Sequence, residues 1–319
     1  MTQVLASRPP RSSAPVTAGS GLPGARLRRT AHTVGGCLRE ARPLVQVMFV
    51  LRFATGALLT ASAAHLRPNT AHLLLGALAW WAATVSVYVF NGVSDLCEDR
   101  ANGSARPLAS GRLTESAARR AVVVTALAAL VFAGTAGWRV AEATAVFLTL
   151  GYMYSAPSIA AKCRSWSASA VTCAAAGTTY LAGLAACDGP VTSEVAVFAV
   201  VLSLGVGLIA AVAKDLGSTR GDALAGRRTL AVVRGERSAR RFCAAAGGAL
   251  ALALAAGAVW VRQLPLEAAA AVLAVGALCV AGRCLAGQGG RGAPRAPYRS
   301  WMVTQYAVHL TALTALVWA

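Results

Sequence analysis

The chain has 319 residues, of which 56% are hydrophobic and only 13% are charged. A soluble globular domain carries about 25% charged residues, so this composition argues against a soluble protein. The 30 Lys and Arg exceed the 12 Asp and Glu and give a formal net charge of +18. Basic residues between membrane spans are a common topogenic signal, and no segment predicts a soluble fold with a basic stripe, so we expect no nucleic-acid partner.

The amino-terminal segment differs from the rest of the chain. Residues 1–37 are rich in Pro, Ser, Gly and Arg and contain no long apolar run. Such a segment cannot bury enough apolar surface to offset the entropy of ordering. We therefore predict a disordered, basic cytoplasmic tail over residues 1–37 and a single membrane domain over residues 38–319.

Long apolar segments follow one another through the membrane domain. A helix of about 20 residues crosses a hydrocarbon core about 30 Å thick. The segments are rich in Ala and Leu and do not alternate with a period of two, which favours helices over strands. The sequence predicts an all-α fold, a polytopic membrane bundle of about nine transmembrane helices in the lipid bilayer. The predicted spans are 44–64, 71–91, 118–137, 140–156, 165–186, 194–213, 240–260, 266–286 and 299–318.

The basic residues are distributed unevenly between the loops. Most of them lie in the tail and in 92–117, 157–164, 214–239 and 287–298 with their flanks. Because cytoplasmic loops carry the excess of Lys and Arg, these loops and the amino terminus are predicted to be cytoplasmic. We therefore expect an integral, multi-pass plasma membrane protein whose carboxyl terminus lies outside.

The first of two acidic clusters lies at the end of the second predicted span. Asn91, Asp95 and Asp99 are four residues apart, so on a helix they share one face. Like charges at this spacing repel, and the carboxyl end of a helix dipole disfavours anions. Carboxylates in this position are therefore predicted to bind a cation.

The second acidic cluster follows the sixth predicted span. Asp215, Thr219 and Asp222 have the spacing i, i+4, i+7, which again predicts one helical face. Mg²⁺ binds such oxygen ligands, commonly one or two carboxylates together with substrate phosphates. The two clusters together predict an Mg²⁺ site for one diphosphate. The predicted catalytic acids are Asp95, Asp99, Asp215 and Asp222, which form the predicted metal-ligand set together with Asn91.

At these residues the chain resembles the UbiA superfamily of intramembrane prenyltransferases. The family's first motif, N-D-x-x-D-x-x-x-D, matches from Asn91, and an N-x-x-x-R-P-x-x-S-G segment follows from Asn102. The family's Y-x-Y-S-x-P segment begins at Tyr152. Its second motif, D-x-x-x-D-x-x-G-D, begins at Asp215 and precedes a T-L-x-V segment at Thr229. The resemblance covers about residues 38–318.

The resemblance implies a nine-helix membrane enzyme that binds Mg²⁺ and an isoprenyl diphosphate. It also implies that basic side chains contact the diphosphate and that two tyrosines line the cavity near the allyl carbon. The implied diphosphate contacts are Arg106, Lys162, Lys214 and Arg42. The implied cavity residues are Tyr152 and Tyr154.

The chain departs from the family motifs at two positions. Gly92 stands where the first motif often has a second Asp, and Thr219 replaces the middle Asp of the second motif. Two possible carboxylates are therefore missing, which leaves the number of metal ions open. Glu98, one residue away from the Asp95–Asp99 face, is expected to compensate in part.

Three functions are weighed against these residues. A prenyltransferase ionises the isoprenyl diphosphate, transfers the prenyl group to an aromatic or similar acceptor and releases pyrophosphate. A terpene cyclase of the same superfamily instead captures the allyl cation with the substrate's own double bonds. A transporter would carry acids near the membrane midplane, whereas these acids lie at span ends. We expect the prenyltransferase and keep the cyclase as the alternative.

Overall fold

The structure, a computed structural model, describes residues 23–286 and 294–318, with side chains from residue 30 onward. Every regular element within these ranges is a helix. In chain order the α-helices are α1 (Pro23–Glu40), α2 (Pro43–Ala63), α3 (Thr70–Ser94), α4 (Leu96–Ala101), α5 (Glu115–Ala136), α6 (Trp138–Ser155), α7 (Ser165–Ala186), α8 (Ser193–Gly205), α9 (Ala211–Ala213), α10 (Thr219–Leu224), α11 (Leu230–Arg234), α12 (Glu236–Val261), α13 (Leu264–Leu285) and α14 (Ala296–Ala315).

Seven helices of the described residues are long and apolar enough to cross a membrane, and each coincides with a predicted span. They are Pro43–Ala63, Thr70–Ser94, Glu115–Ala136, Ser165–Ala186, Ser193–Ala213, Glu236–Val261 and Leu264–Leu285. Helices α6, with 18 residues, and α14, with 20, coincide with the remaining predicted spans but fall outside this set. The all-α class is confirmed for the described residues, and the count of about nine transmembrane helices stays a prediction.

The prediction for the amino-terminal segment needs correction. Residues 1–22 lie outside the described residues, but α1 is a helix of 18 residues, Pro23–Glu40, where the sequence predicted disorder through residue 37. Its carboxyl end packs on the bundle, because Cys37 is buried in an apolar cluster with Val89 of α3 and Ala118 of α5. This tertiary contact provides the apolar burial that the composition of the segment did not predict.

Short polar side chains set the starts of several helices. The Asn69 side chain accepts a hydrogen bond from the N–H of Ala71, 2.9 Å away, at the start of α3. Thr114 and Thr192 cap α5 and α8 in the same way. Each such cap satisfies a backbone donor that the first turn leaves free and contributes about 1 kcal/mol.

The described residues contain four clusters of buried apolar side chains, and α7 contributes to the two largest. Trp80 and Phe147 lie in the cluster of the first half, whereas Leu202 and Trp301 lie in that of the second half. Helix α7 approaches α2 closely because Gly183 has no side chain. A Cβ at that position would lie 2.0 Å from the carbonyl oxygen of Phe53. Small residues allow such close contacts between membrane helices.

Two connections at one end of the bundle position the predicted site residues. The loop before α7 contacts the loop before α11, where the N–H of Arg228 donates to the carbonyl of Cys163 at 2.8 Å. Helix α8 continues through a π-helical segment, Val206–Ala210, in which the N–H of Ala211 donates to the carbonyl of Val206. This segment leads directly into α9, and the second acidic cluster follows.

Candidate active site

One cavity of about 910 Å³ collects almost all of the predicted site residues. Charged and polar side chains, including those of both acidic clusters, line one part of it, which we call the mouth. Apolar and aromatic side chains such as Phe49 and Phe147 line the other part, which we call the chamber. Ten predicted residues line it: Arg42, Asn91, Asp95, Asp99, Arg106, Tyr154, Lys162, Lys214, Asp215 and Asp222. Glu98, expected to compensate for missing carboxylates, also lines it.

The first acidic cluster lies on one helical face, as its spacing predicts. The helical hydrogen bonds continue from α3 into α4, since the N–H of Asp95 donates to the Asn91 carbonyl at 2.9 Å and that of Asp99 to the Asp95 carbonyl at 2.8 Å. Lys162 Nζ lies 2.5 Å from Asp95 Oδ1, and Arg106 Nη1 lies 2.7 Å from Asp99 Oδ2. Two predicted diphosphate contacts thus form ion pairs with two predicted metal ligands.

The second acidic cluster does not form one helical face, which corrects the sequence prediction. The chain turns at Gly217, whose φ of 83° ends the helical path before α10 begins at Thr219. Asp215 and Asp222 nevertheless line the same cavity. Ser218 Oγ donates to Asp222 Oδ2 at 2.9 Å and fixes a carboxylate that is only 5% exposed.

Arg227 joins the two acidic clusters and was not predicted from the sequence. Its Nη2 lies 2.5 Å from Glu98 Oε2 and 3.6 Å from Asp95 Oδ1, and its Nη1 lies 3.9 Å from Asp222 Oδ1. One guanidinium therefore faces three carboxylates from both motifs. The available sequence signal was its position just before the T-L-x-V segment that begins at Thr229.

Lys214 lies between a tyrosine and an acid at the cavity wall. Its Nζ donates to the Tyr154 hydroxyl at 2.5 Å and lies 5.3 Å from the centre of the Tyr154 ring, within cation–π range. Burial raises the pKa of the neighbouring Asp215 to about 6, although the charge of Lys214, 4.0 Å away, lowers it in part. Asp215 therefore gives up its proton less readily than an exposed aspartate.

The prediction that Tyr152 lines the cavity is wrong. Its side chain is 52% exposed and stacks on Phe90, with ring centres 5.9 Å apart and planes 9° apart. Tyr152 and Tyr154 are two residues apart on α6, which rotates their side chains by about 200° around the helix. Only Tyr154 of the pair can therefore face the cavity.

The inner part of the cavity contains a buried cation that the sequence analysis did not assign. Arg52 is 5% exposed and donates a hydrogen bond to Gln305 Oε1 of α14. Its guanidinium lies 5.5 Å from the centre of the Phe49 ring. Among the described residues, Arg52 Nε and Gln305 Nε2 have no hydrogen-bond partner. Other atoms of both residues line the cavity, so a buried cation and an amide form part of its wall.

The donors at the mouth fit a hard divalent cation. Five carboxylates and the Asn91 amide line the cavity, and Mg²⁺ prefers such oxygen ligands. Within the ranges that the structure describes, no three His, Cys, Asp or Glu side chains converge as a ready ligand group. Lys162 and Arg227 lie against the carboxylates, so ligation requires Asp95 and its neighbours to exchange these partners for the metal.

The UbiA prenyltransferase family matches the chain over residues 50–302. The chain belongs to this family. No curated protein matches it in sequence. A UbiA homologue from Archaeoglobus fulgidus bound to GPP and Mg²⁺ superposes with a TM-score of 0.70 at 17% identity, covering 88% of this chain and 99% of that chain. An apo UbiA homologue from Aeropyrum pernix K1 gives 0.69 at 17% identity and covers 85% and 96%. A structure of digeranylgeranylglyceryl phosphate synthase gives 0.66 at 14% identity and covers 90% and 99%.

The two departures of this UbiA family member from the motifs lie in different surroundings. Thr219 donates to Glu236 Oε1 at 2.7 Å and is not among the cavity-lining residues. Gly92 is buried beside the fully buried carboxylate of Glu40 and the guanidinium of Arg106. The missing side chain at position 92 therefore bears directly on the site.

Proposed function

We propose that this UbiA family member is an Mg²⁺-dependent intramembrane prenyltransferase. It ionises an isoprenyl diphosphate, transfers the prenyl group to an aromatic or similar acceptor in place of a proton, and releases that proton and pyrophosphate. The observation that carries this proposal is the single cavity, in which a mouth lined by acids and bases opens into an apolar and aromatic chamber. Related support comes from the UbiA homologues of Archaeoglobus fulgidus, which bind GPP or DMAPP together with Mg²⁺.

The charged mouth would hold the diphosphate. When bound, Mg²⁺ supplies Lewis-acid stabilisation of the leaving group. Its proposed ligands are Asn91, Asp95, Asp99, Asp215 and Asp222. Basic side chains donate hydrogen bonds to the phosphate oxygens and neutralise the charge that develops as the C–O bond breaks. These side chains are Lys162, Arg106, Arg227, Lys214 and Arg42. Lys162 and Arg227, now paired with carboxylates, are the cations freed for this role when those carboxylates bind the metal.

The aromatic wall would accommodate the carbon chain. Phe49, Tyr88, Phe147 and Tyr154 line the chamber next to the charged mouth. Their π faces attract the positive charge that forms on the allyl carbon, and their bulk excludes water that would otherwise capture it. The isoprenoid tail extends among apolar side chains, so binding it buries apolar surface.

The buried Arg52–Gln305 pair favours transfer to an acceptor over cyclisation. A carbocation that migrates along a folded chain would meet the Arg52 guanidinium in an apolar chamber, where two positive charges repel. An acceptor that carries an oxygen can instead contact the Arg52 and Gln305 side chains, both of which line the cavity. This contact would orient the acceptor ring towards the allyl carbon.

We also propose the orientation of the protein in the membrane. The mouth is rich in Lys and Arg, and basic loops are retained in the cytoplasm. The site and the amino terminus are therefore expected on the cytoplasmic face of the plasma membrane, with the carboxyl terminus outside.

The test uses membranes that contain the full-length protein, Mg²⁺ and a panel of prenyl diphosphates. Pyrophosphate release and extracted hydrocarbons are measured first without an acceptor and then with a panel of aromatic acceptors. We expect release that depends on the acceptor and a prenylated ring as product. Cyclic terpenes formed without an acceptor would identify the cyclase instead. No release under any condition would refute both functions.

A further inference from the structure

Glu40, the last residue of α1, is a fully buried carboxylate that contacts the site through Arg106. Its Oε1 lies 2.6 Å from Arg106 Nη2, and its Oε2 accepts a hydrogen bond from the N–H of Leu108 at 3.0 Å. Arg106 lines the cavity and uses Nη1 to contact Asp99 Oδ2 at 2.7 Å. One guanidinium therefore joins a buried acid from α1 to a predicted metal ligand.

Glu40 occupies this position because residue 92 has no side chain. A Cβ on Gly92 would lie 2.3 Å from Glu40 Oε1 and 2.8 Å from Arg106 Nη2. Such distances are far below van der Waals contact, so any side chain at position 92 would displace the Glu40 carboxylate or the guanidinium. Gly92 and Glu40 are therefore mutually dependent: the glycine provides the space and α1 provides the acid.

We propose that Glu40 is a positioning residue that supplies from α1 the carboxylate that position 92 lacks. Holding Nη2 at the wall aims Nη1 of Arg106 into the cavity. Sharing Arg106 between two acids also leaves Asp99 only partly neutralised, and Asp99 thus remains able to bind a metal. Without Glu40, the whole guanidinium charge falls to Asp99. This inference rests on the proposed function, because it assigns Glu40 to the diphosphate and metal site.

The experiment moves the carboxylate from position 40 to position 92. Five full-length proteins are purified in detergent: wild type, Glu40→Ala, Gly92→Asp, the double variant E40A/G92D and the neutral double variant E40A/G92N. The affinity for geranyl diphosphate in the presence of Mg²⁺ and the half-saturating Mg²⁺ concentration are measured, together with the thermal unfolding temperature. Glu115→Ala is the control, because Glu115 forms an ion pair of the same 2.6 Å length with Arg119 but is exposed and does not line the cavity.

We expect Glu40→Ala to weaken geranyl diphosphate binding about tenfold, because Arg106 loses the buried ion pair that holds its Nη2. Gly92→Asp alone should weaken it similarly, because two acids then compete for the same space. E40A/G92D should return to within about threefold of wild type, whereas E40A/G92N should stay weak. Rescue by Asp but not by Asn would support a role for the charge beyond packing.

Two results would overturn the inference. The first is wild-type affinity in a folded Glu40→Ala protein, and the second is a folded E40A/G92D protein that binds no better than Glu40→Ala. If a double variant unfolds, Glu40→Gln replaces it, since this isostere keeps the volume and an acceptor for the Leu108 N–H but loses the charge. Wild type that binds no geranyl diphosphate would refute the proposed function itself, and this result differs from normal wild-type binding with unaffected variants.

Discussion

Arg227 holds the two acidic clusters together, and its removal should make the stability of the protein depend on Mg²⁺. Arg227→Met keeps most of the side-chain volume but removes the 2.5 Å contact with Glu98 and the longer contacts, 3.6 Å to Asp95 and 3.9 Å to Asp222. A hydrogen bond to a charged group contributes about 1.5–3 kcal/mol. The Arg227 side chain is 15% exposed and that of Glu98 is 32% exposed, so solvent screens their contact only in part. We therefore expect Arg227→Met to lower the free energy of unfolding by about 2 kcal/mol.

The assay is thermal unfolding of the purified protein, once with EDTA and once with Mg²⁺. A loss of about 2 kcal/mol corresponds to a decrease of about 3 °C in the unfolding temperature of a protein of this size. Mg²⁺ should raise the unfolding temperature of Arg227→Met more than that of wild type. In the variant Glu98 has lost its ion pair and Asp95 and Asp222 have one cation fewer nearby, whereas in wild type Mg²⁺ must first displace a guanidinium.

The matched control is Arg119→Met, which removes a 2.6 Å pair with Glu115 that is exposed on both sides. An exposed pair of this kind contributes about 0.3–0.5 kcal/mol, so the unfolding temperature of Arg119→Met should be almost the same as that of wild type. The reasoning would be refuted if Arg227→Met unfolded at the wild-type temperature in EDTA, or if Mg²⁺ stabilised both proteins equally.

Three further predictions concern turnover. Asp95→Ala should lower the rate of pyrophosphate release by at least about 10²-fold while the protein remains folded, and EDTA should stop the wild type. Activity that survives chelation would contradict the proposed Mg²⁺ site. Arg52→Leu should raise the KM for the acceptor about tenfold while the affinity for geranyl diphosphate stays constant; equal changes in both would contradict a separate acceptor contact. Tyr152→Ala should keep the rate of pyrophosphate release within about twofold of wild type. Tyr154→Ala removes the partner of Lys214 and should lower this rate at least about tenfold. Similar rates for the two variants would show that α6 faces the cavity differently.

The helices and the first acidic cluster were predictable because both depend on local periodicity. Apolar runs of sufficient length form membrane helices whatever their partners are. Asn91, Asp95 and Asp99 stay on one face because the helical hydrogen bonds continue through them. The same reasoning failed for Thr219, since the left-handed turn at Gly217 interrupts the helix. A glycine between the two aspartates was the sequence signal for this interruption.

Contacts between distant parts of the chain were not predictable from periodicity. Arg227 and Glu98 are 129 residues apart, and Arg52 and Gln305 are 253 residues apart. Neither pair has a spacing rule, because helix packing and loop contacts bring the partners together. Glu40 was hidden for another reason: the polar composition of the segment before it predicted disorder, whereas burial of Cys37 and its neighbours anchors α1.

The π-helical segment Val206–Ala210 has a consequence for any change in the length of this span. Its wider turn accommodates one residue more than an α-helical turn. Deleting a single residue there would restore an ordinary helix at little cost in backbone hydrogen bonds. It would also rotate everything that follows by about 100°, and Lys214 and Asp215 would turn away from the chamber. A one-residue deletion in this uncharged stretch of the cavity wall would thus preserve the membrane bundle and disrupt the site.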